Sequence, residues 1–239
     1  MSATVATHPG RVRSENQDTA LVPGFCSTGR TGPVTFPGAA DGSAAVYAVI
    51  DGMGGHSGGR RASQSAAFYL ADCAAAATGE VDVAAMLDGA NGVLYEQMKH
   101  DQALLGMGAT IAGVAFGPRQ ATVFNVGDAR VYSCADGYLM LLTTDDRSSP
   151  SSHAVTQSLG GATRLTSVSP HIVPLEPLRP GDRLLICSDG VTEVAGFDDI
   201  RAALSVPDPA TAAARLLGAV LDGGAPDNVT FIVLEELAA

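Results

Sequence analysis

The chain has 239 residues, 46% of them hydrophobic, and a formal net charge of −11, which gives enough apolar material for one sizeable core and the wrong sign of charge for gripping a nucleic-acid backbone. Every apolar run is broken by a charge before the roughly eighteen residues that a membrane-spanning helix needs, and the opening MSATVATHPGRVR lacks the apolar segment of a signal peptide. A cytoplasmic protein that keeps off membranes is expected, and its four cysteines, Cys26, Cys73, Cys134 and Cys187, lie too far apart for a C-x-x-C pair and read as reduced, buried thiols.

The first feature along the chain is a polar knot, Arg13-Ser14-Glu15-Asn16-Gln17-Asp18, between weakly apolar flanks, which taken alone reads as an exposed turn. Pro23 to Asp41 is dense in Gly, Pro, Ser and Thr, and predicts a loop leading from a first strand into a second, Ala44 to Ile50. That second strand ends in Asp51 and runs into GMGGHSGG, where glycines allow the backbone close to whatever the carboxylate holds.

Three readings fit this stretch. A phosphate cradle would use backbone N–H groups at the start of the following helix, although neither G-x-x-x-x-G-K-[ST] nor G-x-G-x-x-G falls in register. A serine hydrolase elbow would set Ser57 in G-x-S-x-G with Asp145 and His153 downstream, although Asp51-Gly52-Met53-Gly54 intervenes between strand and motif. A metal site would be built on Asp51, provided that partner carboxylates arrive from elsewhere.

Apolar residues at Ala62, Ala66, Tyr69, Leu70 and Cys73, and again at Val83, Leu87, Ala90, Leu94 and Met98, predict two helices that pack antiparallel across a break at Gly79. From Ala109 the period changes: ATIAGVAF, QATVFNV, RVYSC and YLMLL are split by Gly-Pro, Gly-Asp and Asp-Gly, and read as consecutive antiparallel hairpins. Asp182 to Cys187 predicts another strand, ending in Ser188-Asp189-Gly190. Asp208-Pro209 then starts a helix that stops at Gly223-Gly224, and Asp227 heads a last strand to Leu234. Consecutive hairpins favour antiparallel sheet over the alternating order of a Rossmann or α/β-hydrolase fold.

Asp51, Asp128, Asp189 and Asp227 each stand at the end or the start of an apolar strand. Any one of them could be a turn residue. As a set they suit ligands gathered at one edge of a sheet sandwich, and oxygen-only ligation suits Mg²⁺ or Mn²⁺.

The ordered motifs RSENQD, VIDGMGGHSGG, GMGATIAGVAF, FNVGDARVY, LLICSDGVTE and PDNVTFIVL resemble those of the bacterial metal-dependent serine/threonine protein phosphatases of the type 2C class. The resemblance implies an α+β fold: a four-layer αββα sandwich, two antiparallel sheets flanked by antiparallel helix pairs, in a single domain over residues 1–239. It implies two Mn²⁺ or Mg²⁺ ions bridged by Asp51, with the Gly52 carbonyl, Asp189 and Asp227 as further ligands and Asp18 reaching the second ion directly or through water. Asp128 with Asp189 matches the place of a weaker third ion, Arg13 the residue that grips the substrate phosphate, and Asn228 a residue that orients Asp227.

The implied activity is hydrolysis of phosphoserine and phosphothreonine by a hydroxide that bridges the metals, acting on phosphorylated proteins and opposing a cognate Ser/Thr kinase, as a monomer. Met53 stands where animal relatives carry a proton-donating His, which leaves water or His56 for that task, and Gln17 stands where some relatives have Glu. The segment from 143 to 160 is shorter than the usual flap and rich in Ser and Pro, so an open, mobile or vestigial flap is expected. Two other functions stay in view: a phosphatase-like regulatory module with slow turnover, and a serine hydrolase using Ser57.

Overall fold

The computed structural model describes residues 1–27, 29–38, 43–54, 58–77, 79–149 and 154–237. In chain order the strands and helices are β1 (Ser2–His8), β2 (Thr19–Val22), β3 (Phe25–Cys26), β4 (Thr31–Pro37), β5 (Ala45–Met53), α1 (Gly58–Ala76), α2 (Val83–His100), β6 (Gly108–Phe116), β7 (Ala121–Val126), β8 (Arg130–Ala135), β9 (Tyr138–Leu141), β10 (Leu159–Gly160), β11 (His171–Leu175), β12 (Arg183–Cys187), α3 (Asp189–Thr192), α4 (Phe197–Leu204), α5 (Pro209–Asp222) and β13 (Val229–Glu235). One sheet has the order β4-β1-β13-β12-β8-β9. The other runs β11-β7-β6-β5-β2-β3, with β10 added beside β6.

Period-two burial sorts the side chains into layers. On β5, Val46, Ala48 and Ile50 pack outward with Leu70 of α1 and Leu87 and Leu94 of α2, whereas Ala45, Tyr47 and Val49 point inward. The inward set meets Val5, Ile186 and Ile232 of the opposite sheet, forming the middle core. On the far side, Leu185, Phe231 and Val233 pack against Ile200 and Leu204 of α4 and Leu216 and Val220 of α5. Helices, sheet, sheet and helices therefore make the expected four layers.

Two local expectations change. The loop predicted between Pro23 and Asp41 contains β3 and β4; β4 carries Gly32, Pro33 and Pro37 yet forms a strand because it lies at a sheet edge and pairs only with β1. A proline costs a strand its N–H donor, which is harmless on an outward edge. The Gly127-Asp128 turn does not close a hairpin either: β7 pairs with β6 and β11 in one sheet, and β8 pairs with β9 and β12 in the other, so this turn carries the chain across the sandwich. Asp208 accepts from the Thr211 N–H and Pro209 opens α5, as the sequence indicated. Residues 39–42, within the predicted loop, lie outside the described residues.

Candidate metal centre

Alternation along β5 fixes the orientation of its acid. Asp51 has the parity of Tyr47 and Val49, so it faces between the sheets, at the end where their apolar filling stops. Thr110 lies opposite it in the β5–β6 register. Gly52 is required by proximity: a Cβ there would come within 2.1 Å of the Gly59 carbonyl oxygen and 2.7 Å of that of Gln17, so the residue that follows Asp51 must be bare for α1 and the N-terminal segment to close on it.

Asn228 fastens that N-terminal segment to the opposite sheet. Its Nδ2 donates to the carbonyls of Pro9 (3.0 Å) and Glu15 (2.8 Å), its Oδ1 accepts from the Gln17 N–H (2.8 Å), and its own N–H donates to Asp227 Oδ1 (2.8 Å). Ser63 of α1 holds the same segment from the other side, donating to the Gln17 carbonyl at 2.5 Å. The polar knot is thus a strap stretched between the two sheets, which brings Arg13 and Asp18 to the acids at the sheet ends.

Arg13, Asp51, Gly52, Asp128, Asp189 and Asp227 all line one cleft of about 470 Å³. Asp18 lies behind the wall, 3% exposed, with Oδ2 accepting from the Ser188 hydroxyl at 2.9 Å and Oδ1 buried without a hydrogen-bond partner. Thr110 Oγ1 is likewise buried and unpartnered. Burial, and then the charges of Asp18, Asp189 and Asp227, push the Asp51 carboxyl well above the usual carboxylate range. Burial, reinforced by the charges of Asp128, Glu193 and Asp18, pushes Asp189 up to about 7. Asp18 is pushed up to about 6 by burial, against the neighbouring hydroxyls of Thr230 and Ser188, which favour its charged form. Several acids that hinder one another's ionisation in a concave site make a strong cation sink.

Two arginines reach this acidic end. Arg13 lays its fork on Asp227, Nε to Oδ1 at 3.0 Å and Nη2 to Oδ2 at 2.7 Å. Arg147 donates from Nε to Asp128 Oδ2 at 2.8 Å. Among the described residues no three acidic, His or Cys side chains converge on a single point as one ion would require; the acids share one cleft, and three of them, Asp227, Asp128 and Asp189, are engaged by guanidinium groups. The donor set still fits hard divalent ions, because it is all oxygen, buried at Asp18 and Asp128 and partly buried at Asp51, Asp189 and Asp227, and includes an unpartnered carboxylate atom on Asp18.

The alternatives fare differently. Asp145, the acid of the hydrolase reading, is clasped by Arg130 at 2.9 and 2.6 Å, while His56, Ser57 and His153 lie outside the described residues. Burial pushes the Cys187 thiol up to about 12, which disqualifies it as a nucleophile. Sequence reasoning missed Ser188, Thr110 and Arg147. Ser188 adjoins a candidate ligand and could have been found on that ground, whereas nothing local to Arg147 says where its side chain goes. Residues 150–153 lie outside the described residues; of the open, mobile or vestigial flap expected, the open form is not what residues 143–149 and 154–160 adopt. Asp146 Oδ2 there accepts from Gln157 Nε2 (2.7 Å) and the Gly127 N–H (2.8 Å), and the Asp146 carbonyl accepts from the Thr156 N–H (2.7 Å).

The family model for protein phosphatase 2C matches residues 37–223. The chain is 34% identical over 215 residues to the serine/threonine protein phosphatase PstP of Mycobacterium tuberculosis, covering 80% of this chain and 40% of that one. It therefore spans about two fifths of the length of that relative. The crystal structure of the M. tuberculosis phosphatase PstP/Ppp superposes with a TM-score of 0.79 at 30% identity, covering 100% of both chains. The catalytic domain of PstP in complex with two manganese ions superposes with a TM-score of 0.76 at 28% identity, again over 100% of both.

Proposed function

The chain belongs to the protein phosphatase 2C family, and from that membership we propose that it is a metal-dependent phosphatase of phosphoserine and phosphothreonine in proteins. The observation that carries the reading is the convergence of Asp51, Asp128, Asp189 and Asp227, drawn from both sheets, on one cleft with Arg13 at its wall. Two Mn²⁺ or Mg²⁺ ions would be held by Asp51, the Gly52 carbonyl, Asp189 and Asp227, with Asp18 behind them; the place beside Asp128 and Asp189 is the one that the resemblance gives to a third. When bound, such ions supply the Lewis acidity that makes water a nucleophile at neutral pH and draws charge off the phosphate.

The chain's own residues supply the rest. Arg13 presents a planar fork to two phosphate oxygens, a match that an ammonium cannot reproduce. Asn228 keeps Arg13 and Asp227 in mutual register by pinning residues 9–17 to the head of β13. Ser188 holds one oxygen of Asp18, and the other is buried without a hydrogen-bond partner. Met53 cannot donate a proton, and of the two groups left for that task, water and His56, we take water as the donor to the leaving alkoxide. The substrates are phosphorylated proteins, including those of a cognate Ser/Thr kinase, met in the cytoplasm by a monomer of one domain. Among the described residues no helix is long and apolar enough to cross a membrane.

The test is hydrolysis of p-nitrophenyl phosphate and of a phosphothreonine peptide with Mn²⁺, with chelator, and by Asp51→Asn in Mn²⁺. Turnover should need the ion and fall at least about a thousandfold in the variant. Metal-loaded, folded protein that binds the phosphopeptide without cleaving it would instead mark a binding module.

A further inference from the structure

The two guanidinium groups of the acidic cleft are held very differently. Arg13 has a side chain 59% exposed and, among the described residues, engages a single carboxylate, Asp227. Arg147 is 11% exposed, donates to Asp128 at 2.8 Å and brings Nη2 to 3.5 Å from Asp189 Oδ2, so it lies between the two acids. From this geometry we infer that Arg147 is a tethered cation which fills the place between Asp128 and Asp189 and bars a divalent ion from it, so that the cleft takes two ions and not three. The inference rests on the proposed metal-dependent function.

The backbone around Arg147 is what makes the contact more than a passing ion pair. Asp146, its neighbour, is tied to five groups: its N–H donates to the Gly127 carbonyl at 2.9 Å, its Oδ2 accepts from Gly127 and Gln157, its Oδ1 faces His171 Nε2 at 2.9 Å, and its carbonyl accepts from Thr156. Arg147 itself forms a backbone bridge with Val155. Gly127 directly precedes Asp128, so one set of bonds positions both the guanidinium and its carboxylate. Asp145 has no need of Arg147, which it approaches only to 4.0 Å, because Arg130 already satisfies it.

Charge points the same way. Asp128 is 3% exposed, and a buried carboxylate stripped of the one cationic partner it has among the described residues is strongly destabilised, so eviction of Arg147 is opposed. With Arg147 in place the Asp128–Asp189–Arg147 group carries one net negative charge instead of two, so it attracts a doubly charged ion less strongly, and an ion entering between the two acids is repelled at contact range by the guanidinium itself. Asp51, Asp18 and Asp227 form no ion pair with Arg147 among the described residues, so it meets the proposed two-ion site at one ligand, Asp189, and there at 3.5 Å, against 2.8 Å to Asp128.

Counting bound Mn²⁺ decides the matter. The native chain, Arg147→Gln and Arg147→Lys would each be titrated with Mn²⁺ to millimolar concentration while free ion is followed by electron paramagnetic resonance, and Mn²⁺-soaked crystals would be read by anomalous scattering. The native chain and Arg147→Lys should bind two ions per chain, and Arg147→Gln three, with the added peak at Asp128. A third ion at Asp128 in the native chain, with Arg147 turned away, overturns the inference and leaves the phosphatase reading standing. So does a folded Arg147→Gln that gains no ion. A native chain with no Mn²⁺ at Asp51 overturns the phosphatase reading and this inference together.

Discussion

A fork that rests on one carboxylate at the protein surface can be redirected by a competing anion. Arg13 meets that description, with Asp227 as its single ion-pair partner among the described residues and a side chain more than half exposed. If Asp227 is taken up by divalent ions, as proposed, a phosphate dianion offers the same planar two-oxygen target with more charge. Arg13→Ala should therefore lower kcat/KM for p-nitrophenyl phosphate about 10- to 100-fold, chiefly through KM, and Arg13→Lys should recover only part of the loss because it keeps the charge without the fork. Steady-state kinetics at saturating Mn²⁺ with a matched Mn²⁺-binding measurement would check this. A fall in kcat at unchanged KM would mean that Arg13 acts on the ligand Asp227 and not on phosphate.

At the scale of elements, the site depends on turns that hand the chain from sheet to sheet. Gly127 stands at φ +97°, and a Cβ there would meet Thr110 Cβ at 2.5 Å, so the crossover that delivers Asp128 admits no side chain. Gly127→Ala should cost about 3 kcal/mol from backbone strain and overpacking together, lowering the midpoint of urea unfolding with little change in slope. It should also weaken Mn²⁺ binding, since Thr110 lies opposite Asp51.

The same turn shows the reach of the sequence. Gly-Asp between two apolar runs was legible as a turn, but whether a turn folds a strand back or carries it to another sheet depends on which partner each strand finds, and that is non-local. The two helices of one outer face, the strands of the middle core and the strand-end acids were legible because long periodic runs and acids beside glycines leave local signatures. The edge strands β4 and β11 were not, because Pro33 and Pro174 read as breakers until the strand is seen to lack a partner on one side. For the segment after β9, the composition, rich in Ser and Pro, masked Asp146, whose partners Gly127, Gln157 and His171 lie far apart in sequence.

For the whole molecule, the acidic cleft is a stability cost that the fold carries in order to bind cations. A carboxylate whose folded pKa lies above its unfolded value of 3.8 holds more protons folded than unfolded, so stability falls as pH rises through the folded pKa values, about 6 for Asp18 and about 7 for Asp189. Two like charges about 5 Å apart at an effective dielectric near 20 repel by about 3 kcal/mol, so several such pairs outweigh the ordinary differences among surface ion pairs. In chelator the melting temperature should therefore drop as pH rises from about 5 to about 7.5. Saturating Mn²⁺ should remove that slope and raise the melting temperature at the upper pH by about 5 to 10 °C, the increment expected for a few kcal/mol of ligand binding in a chain of this size. Asp51→Asn separates this account from general acid stabilisation. Removing the charge at the centre of the cluster should make the variant melt higher than the native chain in chelator at pH 7.5, while abolishing the Mn²⁺-dependent rise. Calorimetry of both proteins across that pH range is the measurement; a variant that melts lower than the native chain without metal would mean that Asp51 is a net structural support and that mutual repulsion of the acids does not govern the stability of the metal-free fold.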